Sequence, residues 1–372
     1  MISAPASSKG TSTKLRITRV IGFFLLKIFI PVISLFIFCL VSCTNSGVQP
    51  ITKLYELKGQ ALGTTWTIKV LTKNELVEKE LKIDVLRRLE ELEKIFSHWR
   101  PDAELHQFNS ALTITPFSIH PELLELLRHS QWMHRETGGA FDPTIAPVVN
   151  LWGFGPVGKT RSTIPSDDQI EQAMTLTGLN KLEIFSKGMV RKKVPNLQLD
   201  FSASAKGEII DQICKFLERW GLNNYLVEIG GEIRAEGKGR EGKGWVVGLE
   251  DGHSKNENGI ASVPLRNYAV ATSGSYRLTK PNPDSNRNAS HLIDPRTGRP
   301  IEHDLIAVNA FAPTARDADA WATALMILGP EEGIKMAEKM DMVARFCVLK
   351  DDEVLILKST AYDRIFTKLT PN

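Results

Sequence analysis

Four stretches of this 372-residue chain carry side chains whose type and spacing can do chemistry. In Pro313-Thr314-Ala315-Arg316-Asp317-Ala318-Asp319-Ala320-Trp321-Ala322-Thr323, Asp319 and Thr323 stand four residues apart. On a helix that spacing puts both side chains on one face. A carboxylate beside a hydroxyl is a hard-oxygen pair suited to Mg²⁺, with phosphate and water completing the shell. A helix start rich in aspartate for dipole reasons would account for Asp317 better than for Asp319. Leu199-Asp200-Phe201-Ser202-Ala203-Ser204-Ala205-Lys206-Gly207 reads as an apolar strand end running into a helix. Backbone N–H groups at a helix start, with Lys206 beside them, suit an anion such as a pyrophosphate; a Ser/Asp cap with a solvated lysine would explain the same letters. In Ser290-His291-Leu292-Ile293-Asp294-Pro295-Arg296-Thr297-Gly298-Arg299-Pro300 the Asp-Pro-x-x-Gly core is turn chemistry. That accounts for residues 294–298 but not for His291, whose imidazole titrates near neutrality and can take a proton. Finally, Gly138-Gly139-Ala140-Phe141-Asp142-Pro143-Thr144 and Asn150-Leu151-Trp152-Gly153-Phe154-Gly155 combine glycine, which lets backbone approach a ligand, with flat apolar faces. Taken alone, a tight turn over an aromatic cluster explains this pair as well.

These residues need elements to position them. Residues 65–70 alternate polar and apolar, as a half-buried strand does. Val85, Leu89, Leu92 and Phe96 recur at helical spacing among charges. Pro121 is placed to open a second helix, and Ser166 with Gln169 reads as a capping box. From Lys206 a longer helix shows Ile209, Ile213, Leu217 and Trp220 on one side, with Gly221 as its stop. Strands are expected over 225–229, 245–249 and 268–271, with 251–260 as a hairpin loop and 280–289 as a polar Pro/Asn loop, a candidate lid. A helix over 318–328, closed by Gly329-Pro330, and a terminal hairpin over 343–349 and 354–357 complete the reading. Helices and strands mix without strict βαβ alternation, so the fold class is α+β rather than a doubly wound sheet. No Rossmann or Walker A glycine pattern is present. Gly237-Lys238-Gly239 and Gly242-Lys243-Gly244 lack the strand–loop–helix setting of a phosphate loop and read as a basic hairpin.

The amino terminus is of another kind. Lys9, Lys14, Arg16, Arg19 and Lys27 lead into residues 28–41, which carry no charge and end at Ser42-Cys43. Fourteen residues are too few to span a bilayer as a helix but suit the core of a secretory signal. A small residue before Cys43 is what a lipoprotein signal peptidase reads, so Cys43 is the candidate lipid carrier; a transmembrane anchor continuing back through Ile21 is the alternative. Residues 1–42 are then a signal, 43–53 a lipidated tether, and 54–372 the folded domain. Removing the signal's five basic residues leaves 41 basic against 43 acidic, a net charge of −2. The basic balance of the whole chain thus describes a removed segment, and no nucleic-acid footprint remains. Of the other cysteines, Cys39 lies in the signal, while Cys214 and Cys347 sit in helical and strand-like apolar runs and read as buried thiols. The remaining composition, 42% hydrophobic and 24% charged, is that of ordinary globular material able to bury a core.

Together the four stretches resemble the ApbE-like family, the FAD:protein FMN transferases. The resemblance runs from about Leu62 to Gly329 and also includes Leu62-Gly63-Thr64, Trp99-Arg100-Pro101-Asp102-Ala103-Glu104-Leu105, Phe108-Asn109 and Glu228-Ile229-Gly230-Gly231-Glu232. It implies a single catalytic domain of mixed helices and mainly antiparallel sheet. It implies FAD contacts at Leu62, Trp99, Ala140, Phe141, Asp142, Asp200, Lys206 and Ile293, with Phe141 and Trp99 as walls of an isoalloxazine slot. A Mg²⁺ site falls on Asp319, Thr323 and the backbone carbonyl of Ala203, and His291 becomes the candidate base. The expected reaction moves FMN from FAD to a threonine hydroxyl of a target protein and releases AMP. Targets expected from the resemblance are exposed segments of membrane redox complexes, such as subunits of a sodium-pumping NADH:quinone oxidoreductase. The enzyme would be held by its lipid on the periplasmic side, at the inner membrane rather than the outer. An FAD pyrophosphatase giving FMN and AMP, and a flavin-binding lipoprotein without catalysis, are the alternatives; the metal pair counts against the second. Three positions depart from the family pattern: Leu62 stands where Met is usual, Ser204 where an aliphatic residue is usual, and Ser275 where Asp follows Ser273-Gly274. Ser275 cannot be an anion at neutral pH.

Overall fold

The computed structural model describes residues 52–157, 163–185, 188–253, 261–281 and 288–366. Cys43, the signal, most of the 251–260 loop and the centre of the 280–289 loop lie outside the described residues. The frame is an eight-stranded sheet, β1 (Lys53–Ala61), β2 (Thr64–Thr72), β3 (Tyr225–Ile229), β4 (Glu232–Glu236), β5 (Tyr268–Gly274), β6 (Leu305–Ala312), β7 (Val343–Lys350) and β8 (Glu353–Lys358). Their spatial order is their chain order, and each neighbouring pair is antiparallel. The α+β expectation holds.

Alternation explains which face each strand buries. Trp66, Ile68 and Val70 of β2 and Tyr225, Val227 and Ile229 of β3 point into the main core, whereas Leu71 and Leu226 point to the opposite face. Against the main-core face pack α1 (Glu78–Phe96), α2 (Pro121–Glu136), α3 (Ala205–Arg219) and α4 (Ala315–Lys339). The opposite face is covered by the hairpin of Trp245–Leu249 and Ala261–Leu265 and by the terminal helix Thr360–Phe366.

The local signals hold where they were strong. Leu81, Val85, Leu89, Leu92 and Phe96 form the buried stripe of α1. Pro121 opens α2, and Ser166 with Gln169 closes a capping box in both directions. Cys214 and Cys347 are free and buried. Three expectations change. The helix expected to close at Gly329-Pro330 only breaks there: Gly329 adopts φ 77°, and the path resumes at Pro330 to Lys339. A proline is harmless at the first turn of a new segment, where no intrahelical partner awaits its N–H. Trp220 is not part of the buried stripe of α3 but its C-cap, 36% exposed. The apolar run ending at Leu199 is not a ladder strand; its backbone is held by one side chain, with Asn109 Nδ2 donating to Leu199 O and Oδ1 accepting from Leu199 N, both at 2.8 Å.

Candidate functional site

A cavity of about 480 Å³ opens beside the main-core face of the sheet. All twelve described site residues singled out from sequence line it: Leu62, Trp99, Ala140, Phe141, Asp142, Asp200, Ala203, Lys206, His291, Ile293, Asp319 and Thr323. They come from six separate stretches of chain, so the sheet and helices do the gathering.

The polar wall is made where α3, α4 and β4 meet. Asp319 and Thr323 face the cavity one turn apart on α4, both buried. Asp319 Oδ2 accepts from Gly207 N at 3.0 Å, and Thr323 Oγ1 lies 3.0 Å from Ser273 Oγ. Lys206 Nζ lies 2.7 Å from Glu232 Oε1, and Glu232 Oε2 is buried without a partner among the described residues. Burial pushes the Glu232 carboxyl up to about 7 against the pull of Lys206, and burial likewise raises Asp319. Burial opposes charge on Lys206, but the two carboxylates outweigh it and keep the ammonium above its ordinary range. The lysine therefore holds its charge.

The donor set fits Mg²⁺. No group of three or more His, Cys, Asp or Glu among the described residues is placed to hold a metal. One carboxylate and one hydroxyl are hard oxygens, Ala203 lines the same cavity, and Mg²⁺ keeps water and takes substrate phosphate for the remainder. The orphaned Glu232 oxygen beside them marks a wall still short of a positive or donating partner.

Two aspartates have visible structural work. Asp142 Oδ1 accepts from Thr144 N at 2.7 Å and Thr144 Oγ1 at 2.6 Å, capping the turn Pro143–Ile145. Asp200 Oδ1 accepts from Ser202 N at 2.8 Å, and Asp200 N donates to Pro143 O at 2.7 Å, stitching the two glycine- and serine-rich segments together. Leu62 occupies a two-residue hairpin turn with φ 57°, followed by Gly63 at 71°. A left-handed leucine costs about 1 kcal/mol, and here the strained residue is a wall of the cavity. On the apolar side stand Phe141, Ile293, Phe154 and the half-exposed Trp99.

His291 closes the site. Its Nδ1 lies 3.1 Å from Leu278 O, and its ring meets Phe154 edge-on at 6.3 Å. The turn it precedes is as expected: Gly298 N donates to Asp294 O at 2.8 Å, and Arg296 N to Asp294 Oδ1 at 2.8 Å. Burial first, then the charges of Arg277 and Lys206, hold the imidazole below its ordinary range. Among departures from the family pattern, Ser204 is buried at the N-cap of α3, its Oγ without a partner among the described residues, and Ser275 is not a wall residue but donates its N–H to Ile306 O.

Sequence reasoning missed several walls. Glu232 and Ser273 sit inside motifs already quoted, so a cue existed. Arg277, Leu278 and His98 carried no local signal; His98 Nδ1 lies 3.9 Å from Asp200 Oδ1 only because distant loops converge.

Comparison with known proteins gives one consistent picture. A profile described as the ApbE family matches residues 62–346. The "FAD:protein FMN transferase" of Haemophilus influenzae is 34% identical over 87% of this chain and 93% of its own length. The protein of that name from Escherichia coli K12 is 33% identical over 81% and 86%. The solved "Flavin Transferase ApbE from Vibrio cholerae" superposes with a TM-score of 0.77 at 33% identity, covering 84% of this chain and 99% of that one. The apo flavinyl transferase ApbE of Pseudomonas stutzeri gives 0.78 at 34%, covering 85% and 97%.

Proposed function

This chain belongs to the ApbE family, and from that premise we propose how its cavity works as an FAD:protein FMN transferase. FAD lies with its isoalloxazine among Phe141, Trp99, Ile293 and Leu62, and with its pyrophosphate toward Lys206, Asp319 and Thr323. The observation that carries the reading is this convergence of an apolar slot and one cation-ready wall in a single cavity.

The reaction joins a threonine oxygen to the FMN phosphorus and breaks that phosphorus–oxygen bond to AMP. The threonine proton passes to His291 Nε2, and AMP leaves with the electron pair of the broken bond. Nδ1 faces a carbonyl, which only accepts, so Nδ1 carries the hydrogen and Nε2 is left as the acceptor. Lys206 offsets charge on the pyrophosphate, without which an oxygen nucleophile is repelled. Mg²⁺ held by Asp319, Thr323 and the Ala203 carbonyl supplies Lewis-acid stabilisation when bound. The acceptor belongs to an exposed segment of a membrane redox complex, a sodium-pumping NADH:quinone oxidoreductase among the candidates. A lipid on Cys43 holds the enzyme at that membrane on its periplasmic side, the inner membrane being preferred.

The test incubates the protein with FAD, Mg²⁺ and a threonine-bearing acceptor domain. Flavin that stays on the acceptor after denaturation is expected, and is lost when the acceptor threonine becomes alanine. Free FMN with an unmodified acceptor would make the protein a pyrophosphatase; unchanged FAD would leave only flavin binding. Asp319→Ala is expected to abolish transfer while FAD still binds, more weakly, through the apolar slot. EDTA should mimic that loss in the native protein, with Mg²⁺ reversing EDTA only. Transfer at the native rate by Asp319→Ala would remove Asp319 from the reaction.

A further inference from the structure

Asp319 is aimed by two helices that touch backbone to backbone. A Cβ placed on Gly207 of α3 would lie 2.2 Å from Ala315 O and 2.7 Å from Arg316 Cα, so no side chain fits between α3 and the start of α4. That start is capped from across the contact. Asp211 Oδ1 accepts from Ala315 N at 2.9 Å, and Oδ2 from Arg316 N at 3.0 Å. The helix's own cap, Thr314, is occupied with Asp317 N at 3.1 Å. Arg234 of β4 then holds the capping carboxylate, its NH1 donating to Asp211 Oδ1 at 2.6 Å.

We propose that Asp211, itself outside the cavity, is a positioning residue that fixes the height and rotation of Asp319 through the first turn of α4. Ala315 and Asp319 are one turn apart, so clamping the Ala315 N–H clamps the carboxylate above it. The Gly207 N–H that Asp319 Oδ2 accepts comes from the same helix, α3, one turn before Asp211. The same strand supports the other charge of the site. Glu232 and Arg234 alternate on one face of β4; the first holds Lys206, the second holds Asp211. Strand β4 thereby sets lysine and metal carboxylate relative to each other. Asp211 is 5% exposed, and its hydrogen-bond partners among the described residues are all donors, so its carboxylate cannot be replaced by an amide without setting an NH₂ against an N–H or a guanidinium.

The proposal rests on Asp319 as the cation's ligand. Its test uses the full chain with FAD bound and Mn²⁺ in place of Mg²⁺, read by loss of the free-ion electron paramagnetic resonance signal. Asp211→Asn is expected to weaken Mn²⁺ binding by about 10–100-fold, the usual cost of disturbing a group behind a metal ligand. FAD affinity without metal should be unchanged, and saturating Mg²⁺ should restore transfer. Arg345→Gln, which breaks a buried network with Asn309, should lower the melting temperature and leave Mn²⁺ binding alone. If Asp211→Asn cannot be purified, Arg234→Lys is expected to weaken Mn²⁺ in the same direction by less. Normal Mn²⁺ binding in whichever of these two variants is measured, or equal weakening in Arg345→Gln, overturns the proposal. Asp319→Ala separates the two readings. Loss of Mn²⁺ binding there with none in Asp211→Asn overturns the positioning role alone, whereas normal binding in Asp319→Ala ends the ligand assignment and this role with it.

Discussion

The proposed base, His291, is an ordinary side chain with one nitrogen tied to Leu278 O and its ring half-buried. The imidazole's pKa lies below its usual value, so the neutral, proton-accepting form persists below the usual ~6.5. The sign follows: transfer should be flat through neutrality and fall only as pH drops under the ordinary imidazole range. His291→Ala should slow single-turnover transfer by about two to four orders of magnitude and remove that acid limb, with FAD affinity and melting temperature little changed. A variant that binds FAD poorly and melts early would instead show a brace for the Asp294 turn; normal rate and binding would leave it neither role. Side-chain chemistry of this kind was readable in the sequence wherever type and spacing coincide, as at Asp319 and Thr323. It was not readable at Arg277 or His98, because their relevance comes only from which loops the fold brings opposite them.

Among the elements, periodicity and caps were enough for α1, α2 and the helix opened by Ser166, since each signal is local. The small sheet of Phe117–Ser118, Leu182–Ile184 and Met189–Lys192 was not foreseen, as strands of two to four residues leave too short a pattern. That sheet holds Lys192, which is fully buried. Its Nζ donates to Ala111 O at 2.9 Å and sits 4.6 Å over the Phe108 ring, with no carboxylate paired to it among the described residues. Burial pushes this ammonium down to about 8. The native state therefore binds fewer protons than the unfolded chain between pH 8 and the ordinary lysine value of ~10.4. Below pH 8 the buried charge costs stability in full; above ~10.4 both states are neutral and the cost is gone. Lys192→Met should thus raise stability by about 1–3 kcal/mol at pH 7, with the gain shrinking as pH rises toward 10. Urea unfolding of both proteins at the two pH values measures it. A destabilised variant at pH 7 would mean that the lysine's hydrogen bonds outweigh its desolvation.

For the whole molecule, strand order was beyond the sequence. Which strand neighbours which depends on contacts as far as 163 residues apart, between Trp66 and Ile229, and the run from β3 through β6 is interrupted by a hairpin on the opposite face and by the loops carrying His291. What the sequence does mark is Cys43, the proposed site of the anchor. Among the described residues no helix is long and apolar enough to cross a membrane. Cys43 lies nine residues before Thr52, the first described residue. At most ~3.6 Å per residue, that segment spans no more than about 32 Å; with a lipid on Cys43, as proposed, the enzyme would be held at the membrane of its acceptor and its effective concentration there raised. Cys43→Ser should therefore separate two activities that the purified enzyme does not distinguish. Transfer to a soluble acceptor domain should be unchanged, because Cys43 is remote in sequence from every wall of the cavity. Flavinylation of a membrane-held acceptor in cells should fall, the precursor should keep its full length, and fatty-acid label should vanish from the protein. Label equal to that of the native chain would end the lipoprotein reading; lost label with undiminished flavinylation in cells would show that proximity contributes nothing to the reaction.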